Sequence, residues 1–261
     1  MSQFPIFLIN LDSSTERLEI ACKALASSGA EFERLPAYDG RGTDPISLED
    51  YSSRQTRAYM GRDMTGGEVG CYFSHIRAVQ AFLQCDADYA LVLEDDALPN
   101  QNAIELIQAL IDWQAARGDP DWYLCHLGNP RMKYLTKVGD IAVTNDTRGI
   151  YRAHYFPVTT SALLWTRAGA AEFAKRALPI TGPVDHILRS WLTEVDRGLA
   201  LLPPVFSTTE APSDIDTSPR RRRAHNRSAF YGWLKAKRMY RDKWRAWRHQ
   251  SKFARQRARS E

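Results

Sequence analysis

Three carboxylates stand together at Glu94, Asp95 and Asp96, directly after the apolar run Ala90, Leu91, Val92 and Leu93. A run of this length reads as a strand buried on both faces. Unpaired buried charge is expensive, so the three acids must emerge where the strand leaves the core. In an open α/β sheet that carboxyl-end edge is where ligands bind. Residues two apart on a strand point the same way, so Glu94 and Asp96 share one side and Asp95 takes the other. Two converging carboxylates suit a hard divalent cation, Mg²⁺ or Mn²⁺. The bland alternative is an acidic turn closed by Pro99.

A second group of chemically capable residues precedes this strand. Gly66 and Gly67 open a predicted helix that carries Glu68, Cys71, Ser74 and His75 and runs to about Gln84. At about 100° per residue, Val69, Phe73, Ile76 and Leu83 form its apolar stripe. Glu68, Cys71 and His75 fall on an adjoining strip. They either line a site, with the helix N-terminus offering N–H groups to an anion, or form a solvated edge with His75 as a satisfied structural histidine.

The elements that would position these residues are legible in order. Phe4 to Asp12 reads as a first strand with a polar end. Ser13 and Glu16 have capping-box spacing for a helix to about Ser28, which Gly29 stops. Phe32 to Pro36 is a second strand, completing a strand–helix–strand opening of α/β type. Arg17, one turn into the helix, either meets a base or phosphate or is solvated. Tyr38 to Gly42 is a loop by composition, and Asp44 to Thr65 suggests short helices. Later come a helix over Ile104–Ala116, a strand over Trp122–Gly128, and a hairpin or loop over Arg131–Gly149. A strand ending near Trp165 and a helix over Ala168–Ala177 follow. Another helix starts at Val184, Asp185 and His186, and the apolar segment Leu199 to Phe206 closes this part of the chain.

Charge is unevenly placed. From Arg220 onward there are 16 Lys/Arg and 2 Asp/Glu; before it there are 19 and 29. A basic tail on an acidic body calls for an anionic partner. Cys22, Cys71, Cys85 and Cys125 show no Cys-x-x-Cys pair, which is a poor zinc or disulfide framework and fits a reducing compartment. No secretory signal or membrane-spanning run is read, so the expectation is a cytoplasmic protein, docked peripherally on the inner face of a membrane.

Asn10, Asp12 and Arg17, then Gly67 to His75, then Glu94-Asp95-Asp96 together resemble glycosyltransferase family 25, whose members include lipopolysaccharide galactosyl- and glucosyltransferases and which is related to collagen galactosyltransferases. Thr166 to Ala170 and Pro183 to Asp185 are similar to its later motifs. The resemblance implies a GT-A-like α/β fold with a mixed central sheet over residues 1–215; the basic helical tail over 216–261 is read from its own composition and is not something the family pattern requires. The resemblance implies inverting transfer of galactose or glucose from a UDP-sugar to a saccharide acceptor, an oligosaccharide or glycolipid. It also implies Mn²⁺ or Mg²⁺ held by an Asp-x-Asp-like motif, here with Asp96 as ligand and Glu94 sharing the metal or binding the sugar. Asn10, Asp12, Arg17 and Asp95 are then candidates for the nucleotide, and Glu68, Ser74 and His75 for donor contacts. Inversion needs a base for the acceptor hydroxyl, with Asp185 first and His186 second; the bland role for Asp185 is a helix N-cap.

The tail interleaves Trp233, Trp244, Trp247 and Phe253 with Lys and Arg at roughly helical spacing. Cationic Trp-bearing helices favour anionic membrane interfaces, so residues 220–259 are read as a membrane-docking surface. A helix packed on the acidic body and a disordered tail are the alternatives, and nucleic acid is the less favoured partner. Two rivals stand for the whole chain: an inactive α/β binding module working through its tail, and a metal-dependent phosphohydrolase.

Overall fold

A computed structural model describes residues 4–128, 131–209 and 227–258. Five consecutive buried residues make strand β1 (Ile6–Asn10), followed by α1 (Thr15–Ser27) and β2 (Glu33–Pro36). Ser14 is the N-cap of α1 and makes no side-chain cap bond, so the capping box read at Ser13 and Glu16 does not form. The Ser14 N–H instead closes a turn on the Leu11 carbonyl at 2.9 Å, which starts the helix one residue later. Gly29, at φ 68°, ends the helix as its sequence position predicts.

The chain continues through α2 (Ser53–Met60), α3 (Gly66–Gln84), β3 (Tyr89–Glu94), β4 (Ala97–Pro99), α4 (Ala103–Ala115) and β5 (Leu124–His126). The polar stretch after residue 131 is a hairpin of β6 (Leu135–Val143) and β7 (Asp146–Ala153). Then come β8 (Ala162–Thr166), α5 (Arg167–Arg176), α6 (Val184–Val195), β9 (Gly198–Leu202), β10 (Phe206–Thr208) and α7 (Tyr231–Arg257).

Eight strands form one mixed sheet in the order β2-β1-β3-β8-β5-β9-β7-β6, while β4 and β10 pair beside it. β1 runs parallel to β2 and β3; β8 enters antiparallel between β3 and β5. The fold is therefore α/β with a mixed central sheet. Strand alternation separates two cores. Phe7, Ile9, Ala90 and Val92 face a core with residues of α3, α5 and α6, while Ile6, Leu8, Leu91 and Leu93 face one with α1 and α4.

Helix α3 buries a wider stripe than its spacing predicts: Val69, Tyr72, Ile76, Val79 and Phe82 are buried, and Phe73 and Leu83 are half-buried. Its N-terminus is pressed against the 38–43 loop. A Cβ on Gly66 would collide with the Gly40 carbonyl, and one on Gly40 with the Gly66 carbonyl. These glycines let two backbones meet, and the loop is thereby fixed over the helix start.

Helix α7 packs one face on α2 and α6. Arg238, Asp242 and Ala246 are buried; Arg238 donates to the Tyr59 carbonyl at 2.6 Å, and Arg245 pairs with Glu194 at 2.9 Å. Of the tail alternatives, the helix on the acidic body is the one present. Its outer face still displays Trp233, Tyr240, Trp244 and Trp247. The arginine run at 220–223 lies outside the described residues. Among the described residues no helix is long and apolar enough to cross a membrane.

Candidate active site

β3 delivers the three carboxylates to the sheet's carboxyl edge, between two clefts. One cleft is walled by Asn10, Arg17, Tyr38, Arg41 and Ser74; the other by Thr159, Thr160, Asp185, Ser207 and Thr208. Cys71, Glu94 and Asp96 line both. Asp95 reaches only the first; β3 ends at Glu94, and Asp95 and Asp96 form the two-residue turn into β4, so the turn rather than strand alternation sets their directions.

Asp95 is buried and spoken for. It forms an ion pair with Arg17 and accepts from Asn10 Nδ2 at 2.7 Å. Asn10 is itself held by Arg34 Nε, which donates to its Oδ1 at 3.0 Å. This network ties the ends of β1, β2 and β3 together. Arg17 therefore brings its charge into the cleft while anchored to Asp95.

Glu94 collects three donors on one oxygen: Thr160 Oγ1 at 2.5 Å, His75 Nε2 at 3.0 Å and the Cys71 thiol at 3.9 Å. Burial alone would raise its pKa, but the bonds from His75 and Thr160 and the charge of Arg17 bring it below the ordinary carboxylate value. Asp96 is the opposite case. Its Oδ1 is buried with no hydrogen-bond partner among the described residues. Burial first, then the neighbouring Glu94 and Asp95 carboxylates, push its pKa up from 3.8 to about 6 despite Arg17. A buried, unpartnered carboxylate oxygen beside other carboxylates is what a cation would satisfy. The residues thus fit a hard divalent metal at Asp96, with Glu94 already largely committed to its donors.

The folded chain holds the Asp96 proton more tightly than the unfolded chain does. Its contribution favours folding fully below about pH 4 and is lost as pH rises through about 6. Glu94 acts in reverse, contributing above its ordinary value and losing that as pH falls. Without added metal, the melting temperature of Asp96→Asn relative to wild type is expected to rise as pH goes from 4 to 7. Saturating Mn²⁺ should shrink the gap. Thermal unfolding across that range checks this; a gap independent of pH would contradict it.

The remaining candidates divide. Ser74 accepts from the Tyr38 N–H at 2.9 Å and donates to the Gly70 carbonyl at 2.7 Å, so it holds the loop at the cleft wall. Glu68 is taken up by a bidentate pair with Arg62 and by the Thr65 N–H at 2.8 Å, closing a capping box at the start of α3. It borders the second cleft, but its carboxylate is already used in structure. Asp12 is exposed, pairs with Arg34 and does not line either cleft. Asp185 lies in the first turn of α6, whose N-cap is Pro183, so the N-cap role does not apply. Its side chain borders the second cleft and accepts from the His186 N–H at 2.7 Å. His186 is outside both clefts, and burial lowers the pKa of its ring.

Several site residues escaped the sequence reading. Tyr38 and Arg41 were no more than loop residues by composition, yet they wall the first cleft, and Arg41 holds Asp39 at a pKa of about 2. Thr159 is held at φ 85°, in the left-handed region that a β-branched residue avoids. His126 fixes it there, with Nε2 at 3.0 Å from Thr159 Oγ1. Nothing in the local sequence signals that strain, since His126 is 33 residues away.

The profile of glycosyltransferase family 25 (LPS biosynthesis protein) matches residues 3–188. The chain belongs to this family. Among relatives, a glycosyltransferase 25 family member of Drosophila melanogaster is 28% identical over 237 residues, covering 81% of this chain and 37% of that protein. Procollagen galactosyltransferase 2 of Mus musculus is 27% identical over 133 residues, covering 49% and 21%. The chain thus spans well under half the length of these family relatives. Among solved structures, S. aureus TarS in complex with UDP-GlcNAc aligns over 84% of this chain and 62% of its own, with 12% identity and a TM-score of 0.45. That likeness is too low to carry weight.

Proposed function

We propose that this family 25 chain is a metal-dependent, inverting hexosyltransferase that moves galactose or glucose from a UDP-sugar to a saccharide acceptor. The observation that carries the reading is Asp96, whose buried Oδ1 lacks a partner among the described residues at the junction of two polar clefts. Membership of the family supports the reaction class.

In this reading the first cleft takes the nucleotide. Arg17 and Arg41, anchored by Asp95 and Asp39, present guanidinium N–H groups along its side, and the glycine-fixed 38–43 loop supplies a rigid wall. Asp96 would hold Mn²⁺ or Mg²⁺, with Glu94 beside it. The metal, when bound, neutralises the diphosphate and so makes it a better leaving group. The second cleft, walled by hydroxyls and Asp185, takes the acceptor. Asp185 accepts the proton of the attacking acceptor hydroxyl as a new bond forms to the sugar's anomeric carbon. The bond to the diphosphate oxygen breaks on the opposite face, and configuration inverts. Glu94, fixed by Thr160 and His75, is placed to orient the sugar between the clefts. Proton NMR of the product formed from UDP-galactose or UDP-glucose and a saccharide acceptor tests this. Inverted anomeric configuration is expected; retained configuration, or free sugar formed equally without acceptor, would reject it.

The outer face of α7 is also read as a membrane-docking surface. Trp233, Tyr240, Trp244 and Trp247 share that face, with Lys237, Arg248 and Arg255 beside them. Aromatic rings within a cationic face suit an anionic lipid interface. Deleting α7 would uncover the body, so substitution is the cleaner test. Trp233→Ser/Trp244→Ser/Trp247→Ser is expected to lose flotation with phosphatidylserine vesicles that wild type shows. Equal flotation of both would contradict the assignment.

A further inference from the structure

Cys71 and His75 stand one turn apart on α3, so their side chains meet on one face of the helix. Glu94 ends the strand that faces them. Cys71 Sγ lies 3.9 Å from Glu94 Oε1, His75 Nε2 lies 3.0 Å from the same oxygen, and the three ligand atoms all fall within 4.8 Å of one another. A tetrahedral ion with sulfur, nitrogen and oxygen ligands at roughly 2.0–2.3 Å separates those atoms by about 3.4–3.6 Å. Side-chain adjustments of about 1 Å or less therefore convert the hydrogen-bonded trio into a ligand set.

We propose that Cys71, His75 and Glu94 form a site for a thiophilic divalent cation, with Zn²⁺ as the fitting occupant. The donor set decides the class: thiolate and imidazole select zinc-like ions, whereas Mg²⁺ and Mn²⁺ prefer oxygen. This site is therefore chemically distinct from the oxygen site at Asp96, although both border the same clefts. Three protein ligands leave a fourth position, and Cys71 and Glu94 face the cavities through which an ion and a water would enter. The scaffold is firm. His75 is 1% exposed, and the backbone beside it is tied by the Ser74 bonds to Gly70 and Tyr38. Thr160 already donates to the Glu94 carboxylate at 2.5 Å, the kind of outer hydrogen bond that orients a metal-bound carboxylate.

Two features limit affinity. First, burial and the nearby Glu94 and Asp185 carboxylates push the Cys71 thiol's pKa well up, so a metal must displace its proton. Second, with the metal on Nε2, the His75 proton moves to Nδ1, which is buried without a partner among the described residues. Missing outer support of this kind lowers metal affinity about 10–100-fold relative to a fully supported zinc site.

Titration of the full-length chain with Co²⁺, a spectroscopic stand-in for Zn²⁺, tests the proposal. One equivalent is expected to produce a near-ultraviolet sulfur-to-metal charge-transfer band that Zn²⁺ displaces and that Cys71→Ser abolishes. No such band in the wild type, or a band that survives Cys71→Ser, overturns the site, since Cys22, Cys85 and Cys125 are the other thiols available. Alkylation of the unaltered protein, read by mass spectrometry, is a second measurement that needs no folded variant. Zn²⁺ should slow modification of Cys71 at least tenfold and leave Cys22 unchanged; equal rates at Cys71 with and without Zn²⁺ contradict the proposal. The site does not depend on the sugar-transfer reading. Asp96→Ala should keep the charge-transfer band while losing Mn²⁺-dependent nucleotide binding, so the two claims fail separately.

Discussion

Asp96→Ala is expected to lower kcat/KM for sugar transfer by about 10³-fold or more while leaving the fold intact. Lewis-acid neutralisation of a leaving diphosphate contributes several kcal/mol to the transition state, which at ~1.4 kcal/mol per tenfold gives that magnitude. The same substitution should not destabilise the metal-free protein near pH 7. Asp96 makes no side-chain hydrogen bond through Oδ1 among the described residues, and its charged form is held against burial and two neighbouring carboxylates. Removing it takes away an unfavourable charge. A structural acid behaves otherwise. Asp95, which pairs with Arg17 and accepts from Asn10, leaves a buried partner uncompensated when it is lost. Transfer rates together with thermal unfolding separate the two patterns. Unchanged metal-dependent turnover in Asp96→Ala would remove Asp96 from the mechanism.

Asp185→Asn is expected to reduce kcat by about 10²–10⁴-fold, the range a positioned general base contributes. Nucleotide affinity should stay near wild type, because Asp185 borders the second cleft and not the first. Asparagine keeps an oxygen that can accept the His186 N–H, so the first turn of α6 need not rearrange. The expected signature is lost turnover at constant UDP affinity, measured by steady-state kinetics and calorimetry. Turnover retained within a factor of a few would assign the proton to another group, with Glu94, which also lines the second cleft, as the alternative.

The features that set up the site were largely local, and so were readable. An apolar run ending in acids specifies a buried strand with its charges at the edge, and β3 has that form. The two-residue period separates Glu94 and Asp96 from Asp95 only if the strand runs on, but β3 ends at Glu94, and Asp95 is turned away by the β3–β4 turn and its bonds to Arg17 and Asn10. The helical strip correctly joined Cys71 to His75, because both are set by the same 3.6-residue period. Glu68 sits on that strip too, but Thr65 caps the helix and Arg62 claims the carboxylate. A Thr three residues before a Glu is the local signal for that role. Asp12 lies past the end of β1, where alternation no longer fixes direction, and Arg34 from β2 takes it to the surface.

Long-range pairing was not legible. Antiparallel β8 lies between β3 and β5, and its approach brings Thr160 onto Glu94 from 66 residues away. The period of α7 was visible, but not which side would be buried. Its inner face is mostly polar; Asp242 is paired by neighbouring Arg241, but Arg238 and Arg245 find partners far along the chain, at Tyr59 and Glu194. The aromatic outer face was the conspicuous one in sequence, while the docked face looked like solvated charge.

The most direct test is calorimetric titration of the wild type and Asp96→Ala with uridine diphosphate, with and without Mn²⁺. Wild type is expected to bind in a Mn²⁺-dependent manner, and Asp96→Ala is expected not to bind under either condition. Equal binding by both proteins, or wild-type binding indifferent to Mn²⁺, would contradict this expectation.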